Sequence, residues 1–244
     1  MLHRAALLIC LALPLQAKTA QAETALAAVA ANFADAAQTL ATQFQAETGH
    51  SIEITTGSTG KLYAQITQGA PYDLLLSADA ATPARLYSDG HGRPQPYAIG
   101  ILTLWAPNMP INTDPTVTLQ SDQIRHIAIA NPDLAPYGQA AMQALTAMGL
   151  EGAIADKIVM GQNIGQTFAL VDSGAAEAGL VARSALTNPK GYVWDVPANL
   201  YPPIQQHAIL LTHGANNPAA TAFLAYLTTP QARAIIANSG YALP

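Results

Sequence analysis

The chain has 244 residues, half of them hydrophobic, with ten Lys and Arg against fifteen Asp and Glu, for a formal charge of −5. An acidic chain without a basic patch suits neither nucleic acid nor an anionic membrane surface. A single cysteine, Cys10, excludes both an internal disulfide and a cysteine-built metal cluster.

The first residues read as an export signal. His3 and Arg4 precede an apolar run from Ala5 to Leu15, broken only by Pro14, and Ala20-Gln21-Ala22 supplies the small-x-small pattern of a cleavage site. The run is far shorter than the ~20 residues a bilayer span needs. Cleavage after Ala22 and a soluble, periplasmic product are expected. A cut after Ala17 would place Lys18 directly behind it, and Cys10 has no small residues before it to signal a lipid anchor. Losing the leader removes Cys10, Arg4 and Lys18. Eight basic residues then face fifteen acidic ones, a charge of −7 on about 222 residues.

From there strand-like and helix-like segments alternate, which predicts an α/β fold with mainly parallel sheets. Residues 24–31 read as a strand despite their alanines. A helix over 35–47 carries Ala37, Leu40, Ala41 and Phe44 on one stripe and stops at Gly49. Residues 51–55 alternate as a strand, 57–60 turn, and 62–68 form a short helix. Residues 73–77 make a buried strand, followed by a helix from about Pro83. Residues 97–106 read as one long strand, followed by a polar loop with proline.

The alternation then restarts, with strands at 127–130, 158–160 and 179–182 and helices at 138–148 and 164–173. A second long strand spans 202–211, and two helices around Pro230 close the chain. Two lobes joined by two extended crossovers are expected, the first from residues 23–100 plus 210–244 and the second from 101–209.

Three places share one logic, in which a strand ends, small or hydroxyl residues follow and a helix begins. They are Ala31-Asn32-Phe33, Gly57-Ser58-Thr59-Gly60 and Ala135-Pro136-Tyr137-Gly138, and Asn163-Ile164-Gly165 is a fourth. Helix starts offer unpaired N–H groups and a positive dipole end, which suit an anion. The ordinary reading of each Asn, Ser or Thr is a helix N-cap. Gly57 to Lys61 lacks the spacing of a phosphate loop, and Leu62 stands where a metal-binding hydroxyl would be. There is no G-x-S-x-G and no H-E-x-x-H, and the histidines are scattered without ligand spacing. Asp73 and Asp79 bracket a buried strand and read as backbone caps rather than a carboxylate pair.

Several longer stretches carry a resemblance. Ala30 to Phe33, Gly57 to Ile66, Gly69 to Asp79, Ile127 to Pro132 with Ala135 to Gly138, and Asn216 to Ala220 with Pro230 to Ala232 together resemble the periplasmic molybdate-binding proteins of ABC transporters. The resemblance runs in order along essentially the whole chain after residue 22. It implies a two-lobed type II periplasmic binding fold, a monomer without cofactor, and capture of molybdate or tungstate between the lobes for delivery to a membrane permease. It implies no bare metal ion and no catalysis. Its oxyanion donors would be Asn32, Ser58, Thr59, Tyr137 through its backbone, and Ile164 through its backbone. Two departures each remove a possible donor: Ala31 replaces a hydroxyl residue of some members, and Ala182 a tyrosine of others. Another tetrahedral oxyanion such as sulfate, a sensor subunit outside transport, and an enzyme on the same fold are the competing readings.

Overall fold

The computed structural model describes residues 22–109 and 114–244. The predicted leader lies outside the described residues, apart from Ala22 at its end.

Among the described residues, ten strands and eight α-helices form two five-stranded sheets flanked by helices. In chain order the first lobe begins with β1 (Thr24–Ala30), α1 (Ala34–Thr48), β2 (Ser51–Gly57), α2 (Thr59–Thr67), β3 (Leu74–Leu76), α3 (Ala81–Ser88) and β4 (Gln95–Gly100). The second contains β5 (Leu102–Ala106), α4 (Pro115–Gln120), β6 (Ile127–Ala130), α5 (Pro136–Ala147), β7 (Ile158–Gly161), α6 (Ile164–Asp172), β8 (Ala178–Ala182) and β9 (Tyr192–Asp195). The chain then returns to the first lobe with β10 (Ile204–Leu210), α7 (Pro218–Tyr226) and α8 (Pro230–Asn238).

The sheets have matching orders, β2-β1-β3-β10-β4 and β7-β6-β8-β5-β9. Three strands of each run parallel, and the next two are antiparallel to their neighbours. Each sheet is therefore mixed, where the sequence predicted mainly parallel pairing. The reason is the return strand: β10 inserts beside β3, and β5 beside β8.

Two sequence boundaries move. The predicted strand over 97–106 is two strands in different sheets, separated at Ile101. Both halves are apolar and buried, so hydrophobicity alone runs straight through the crossover. The predicted strand over 202–211 shortens to β10 and pairs wholly within the first sheet. The second crossover thus lies at 196–203, ahead of the expected boundary at 209/210, and prolines at 202 and 203 mark it.

The alanine-rich β1 is a strand because it is the second strand of its sheet and covered on both faces. Ala25, Ala27 and Val29 pack with Phe33, Leu40, Phe44 and Phe223 on one side. Ala28 packs with Leu62, Leu75 and Ile209 on the other. Burial and small side chains override weak intrinsic propensity here.

Asp73 and Asp79 have the capping roles expected of them. Asp73 is 5% exposed; it accepts from the Leu26 N–H at 2.7 Å and from Asn217 at 3.3 Å, and contacts His213 Nδ1 at 2.9 Å. It ties the start of β3 to β1 and α7. Asp79 accepts from the Thr82 N–H at 2.8 Å and opens α3. Replacing Asp73 by Ala leaves the half-buried Leu26 N–H without its carboxylate partner, and the unfolding free energy should fall by ~1–3 kcal/mol. Urea unfolding checks this, and an unchanged midpoint and slope would contradict it.

Candidate functional site

Parallel strands aim their carboxyl ends in one direction, and in open α/β sheets ligands bind outside those ends. Four strand ends of this chain meet there, two from each lobe. Ala30 ends β1, and a 3-10 turn at Ala31–Phe33 runs directly into α1. Gly57 ends β2 just before α2. Ala130 ends β6 ahead of α5, and Gly161 ends β7 ahead of α6. The four helix starts line one small interlobe cavity. The first lobe contributes Ala30 to Asn32, Gly57 to Thr59 and Ala78; the second contributes Ala135 to Tyr137, Asn163 and Ile164.

The lobes are in contact around it. The Gly60 N–H donates to Leu134 O at 3.0 Å across the gap. On the other side, Ser184 Oγ donates to Asn32 O at 3.1 Å. Gly138 lets α5 begin tightly against the end of β6, since a Cβ there would lie 2.2 Å from Ala130 O.

All five predicted donors line this cavity, but they are not equivalent. Ser58 is the N-cap of α2, its hydroxyl oxygen accepting from the Lys61 N–H at 3.4 Å. The Thr59 hydroxyl oxygen accepts from the Ala78 N–H at 3.1 Å. Both residues are buried, and both hydroxyl oxygens already act as acceptors. Each retains its own hydrogen to donate. Thr59 and Ile164 are the first residues of α2 and α6 and Tyr137 the second of α5, so their N–H groups have no intrahelical acceptor.

Asn32 differs from expectation. Its side-chain amide donates to Gln206 Oε1 at 2.9 Å and to Tyr241 Oη at 3.2 Å. That uses both amide hydrogens, so the side chain is engaged with the protein and the residue's own N–H is what remains for a ligand. Tyr137 also sends its hydroxyl away, towards Gly100 and Gln206. Ala182 lines a neighbouring groove with Ala31 and Gly165 rather than the cavity itself.

Among the described residues, no Lys, Arg, Asp, Glu or His lines the cavity. Burial pushes the hydroxyls of Tyr97, Tyr137 and Tyr241 above the ordinary tyrosine range, so the polar groups behind the cavity stay neutral. Among the described residues no cluster of three or more His, Cys, Asp or Glu could hold a metal ion, and no helix is long and apolar enough to cross a membrane.

Sequence reasoning missed Gln206, Tyr97 and Tyr241, which stand behind the helix starts. Gln206 is fully buried in β10. The signal was there: it falls on the inward side of an alternating strand, where a polar residue needs a partner. Ala78 and Ala135 shape the cavity without any chemical signature of their own.

The family described as bacterial extracellular solute-binding proteins matches residues 25–242. The molybdate-binding protein ModA of Azotobacter vinelandii is 41% identical, with 97% of each chain covered. The ModA of Rhodobacter capsulatus is 40% identical over 97% of this chain and 93% of its own. The solved periplasmic molybdate-binding protein of A. vinelandii superposes with a TM-score of 0.86 at 38% identity, covering 90% of this chain and 99% of that one. A sulfate-binding protein of Mycobacterium tuberculosis shares the fold at 14% identity and a TM-score of 0.74. The arrangement of two mixed sheets around an interlobe cavity is thus that of a two-lobed periplasmic binding protein. With the family model spanning residues 25–242, the chain belongs to the bacterial extracellular solute-binding proteins.

Proposed function

We propose that this protein captures molybdate between its lobes and delivers it to the membrane permease of an ABC transporter, acting as a binding protein and not an enzyme. The reading is supported by the two relatives at about 40% identity over nearly their full lengths. The observation that carries it is chemical. The hydroxyls of Ser58 and Thr59 each accept one backbone N–H and keep their hydrogen free to donate to a ligand.

Together with the N–H groups of Asn32, Thr59, Tyr137 and Ile164 they form a set suited to an oxyanion with no proton to give. Molybdate is fully ionised at neutral pH. Hydrogen phosphate would bring a proton that lacks an acceptor, and a mismatched buried polar group costs ~1–3 kcal/mol. The acidic surface does not oppose binding strongly, because salt screens it over ~8 Å while the donors act at contact. Tungstate, with the same charge and shape, belongs to the same ligand class. Export through the predicted leader, with cleavage after Ala22, completes the proposal and places the protein in the periplasm.

A thermal-shift panel of molybdate, tungstate, sulfate and phosphate on the exported protein tests the ligand. Molybdate and tungstate should raise the melting temperature most and phosphate least, and a larger response to phosphate would overturn the reading.

Two finer predictions follow from the donor set. Thr59→Ala removes one hydrogen bond to a charged ligand, worth ~1.5–3 kcal/mol, so molybdate should bind about 10- to 150-fold more weakly by isothermal titration. An affinity within twofold of the parent would place the anion elsewhere. The second concerns pH. With no titratable carboxylate, histidine or lysine lining the cavity, and Tyr137 held above the ordinary tyrosine range by burial, molybdate affinity should stay flat from about pH 6 to 9. A tenfold change across that window would reveal a titrating group in contact with the ligand.

A further inference from the structure

Behind the cavity, where the chain passes between lobes, sits a buried group of neutral polar side chains. Gln206 of β10 is at its centre. Gln206 Oε1 accepts from Asn32 Nδ2 at 2.9 Å and from Tyr97 Oη at 3.0 Å, tying together one cavity-lining helix start and two strands of the first lobe. Tyr241 also reaches this helix start, accepting from Asn32 Nδ2 and donating to Asn32 O.

The other side of Gln206 faces the second lobe. Tyr137, whose backbone lines the cavity at the start of α5, extends its side chain to the crossover at the end of β4. A Cβ placed on Gly100 would lie 2.3 Å from Tyr137 Oη and 2.8 Å from Gln206 Nε2. Those two atoms converge on one glycine, and both are buried without a hydrogen-bond partner. Two orphaned polar atoms at one spot are unusual in a folded interior, where nearly all such groups are paired. Tyr137 belongs to α5 of the second lobe and Gln206 to β10 of the first, so how the two meet depends on how the lobes sit.

We propose that Gln206 is a positioning residue for ligand capture: its amide meets the Tyr137 hydroxyl over Gly100 and sets the register in which the two lobes close. This rests on the molybdate-binding reading for its ligand, though not for its geometry. Tyr137 joins the two events, with its backbone at the cavity and its hydroxyl at the crossover. An anion that draws the start of α5 inward brings that hydroxyl onto Gln206. Gly100 is required because any side chain would wedge between them.

The test compares the parent protein with Gly100→Ala, Tyr137→Phe and Gln206→Met. Molybdate titration and small-angle X-ray scattering, with and without molybdate, are the readouts. Gly100→Ala should bind molybdate about tenfold more weakly or worse, equivalent to about 1.4 kcal/mol, and contract less than the parent on binding. Tyr137→Phe deletes the hydroxyl that meets Gln206 and should weaken binding and reduce the contraction in the same direction. Gln206→Met should weaken binding in the same direction. If Gln206→Met does not fold, Gly100→Ala and Tyr137→Phe decide alone.

Parent-like affinity and contraction in Gly100→Ala or in Tyr137→Phe would overturn the proposal. Should the parent itself ignore molybdate, the functional reading fails instead. The scattering of the unliganded proteins still decides this inference, because Gly100→Ala must be more open than the parent.

Discussion

Everything in this molecule turns on a backbone property: the first N–H groups of a helix have nothing to bond to within it. One such start attracts an anion weakly, and four aimed at one point make a site. That convergence demands parallel strands whose carboxyl ends face each other across a gap, with each strand handing directly to a helix. β1, β2, β6 and β7 meet that demand, and the mixed sheets follow from it. The antiparallel strands β10 and β5 exist to carry the chain between two otherwise separate units. The dipoles are fixed before any ligand arrives, so they cost no reorganisation when it binds.

Neutrality is the second consequence. A dianion could be held by lysine or arginine, but such groups attract any anion and hold a protonated one as readily. Donors fixed in direction discriminate by shape and by protonation. Ser58 and Thr59 show how this is enforced locally. A hydroxyl carries one hydrogen and two lone pairs, and the backbone N–H groups of Lys61 and Ala78 take one lone pair of each and leave its hydrogen for the ligand. The small residues around them, Ala30, Ala31, Ala78 and Ala135, let backbone come close enough for the N–H groups to matter.

Much of this was legible in the sequence, and the reasons for success and failure differ by residue. Helix starts announce themselves through Gly57-Ser58-Thr59-Gly60 and Asn163, because turn and cap chemistry is local. All five predicted donors line one cavity. The crossovers were not legible. Leu102 to Ala106 is as apolar as a continuation of β4 would be, and only the long-range pairing of β5 with β8 and β9 assigns it to the other lobe. The same blindness misplaced β10. Asn32 lines the cavity, but its amide is claimed by Gln206 and Tyr241 from the far end of the chain. Partners 174 and 209 residues away leave no mark in a local pattern.

The central claim is that neutral donors at four helix starts hold the anion without a cation. The most direct measurement is a crystal structure of the exported protein grown with molybdate, with the metal located by its anomalous signal. The account predicts one tetrahedral anion between the lobes, its oxygens within ~3.2 Å of N–H or O–H donors from Asn32, Ser58, Thr59, Tyr137 and Ile164. An anion bound elsewhere, or one held in the cleft by a lysine, arginine or metal ion, would contradict it.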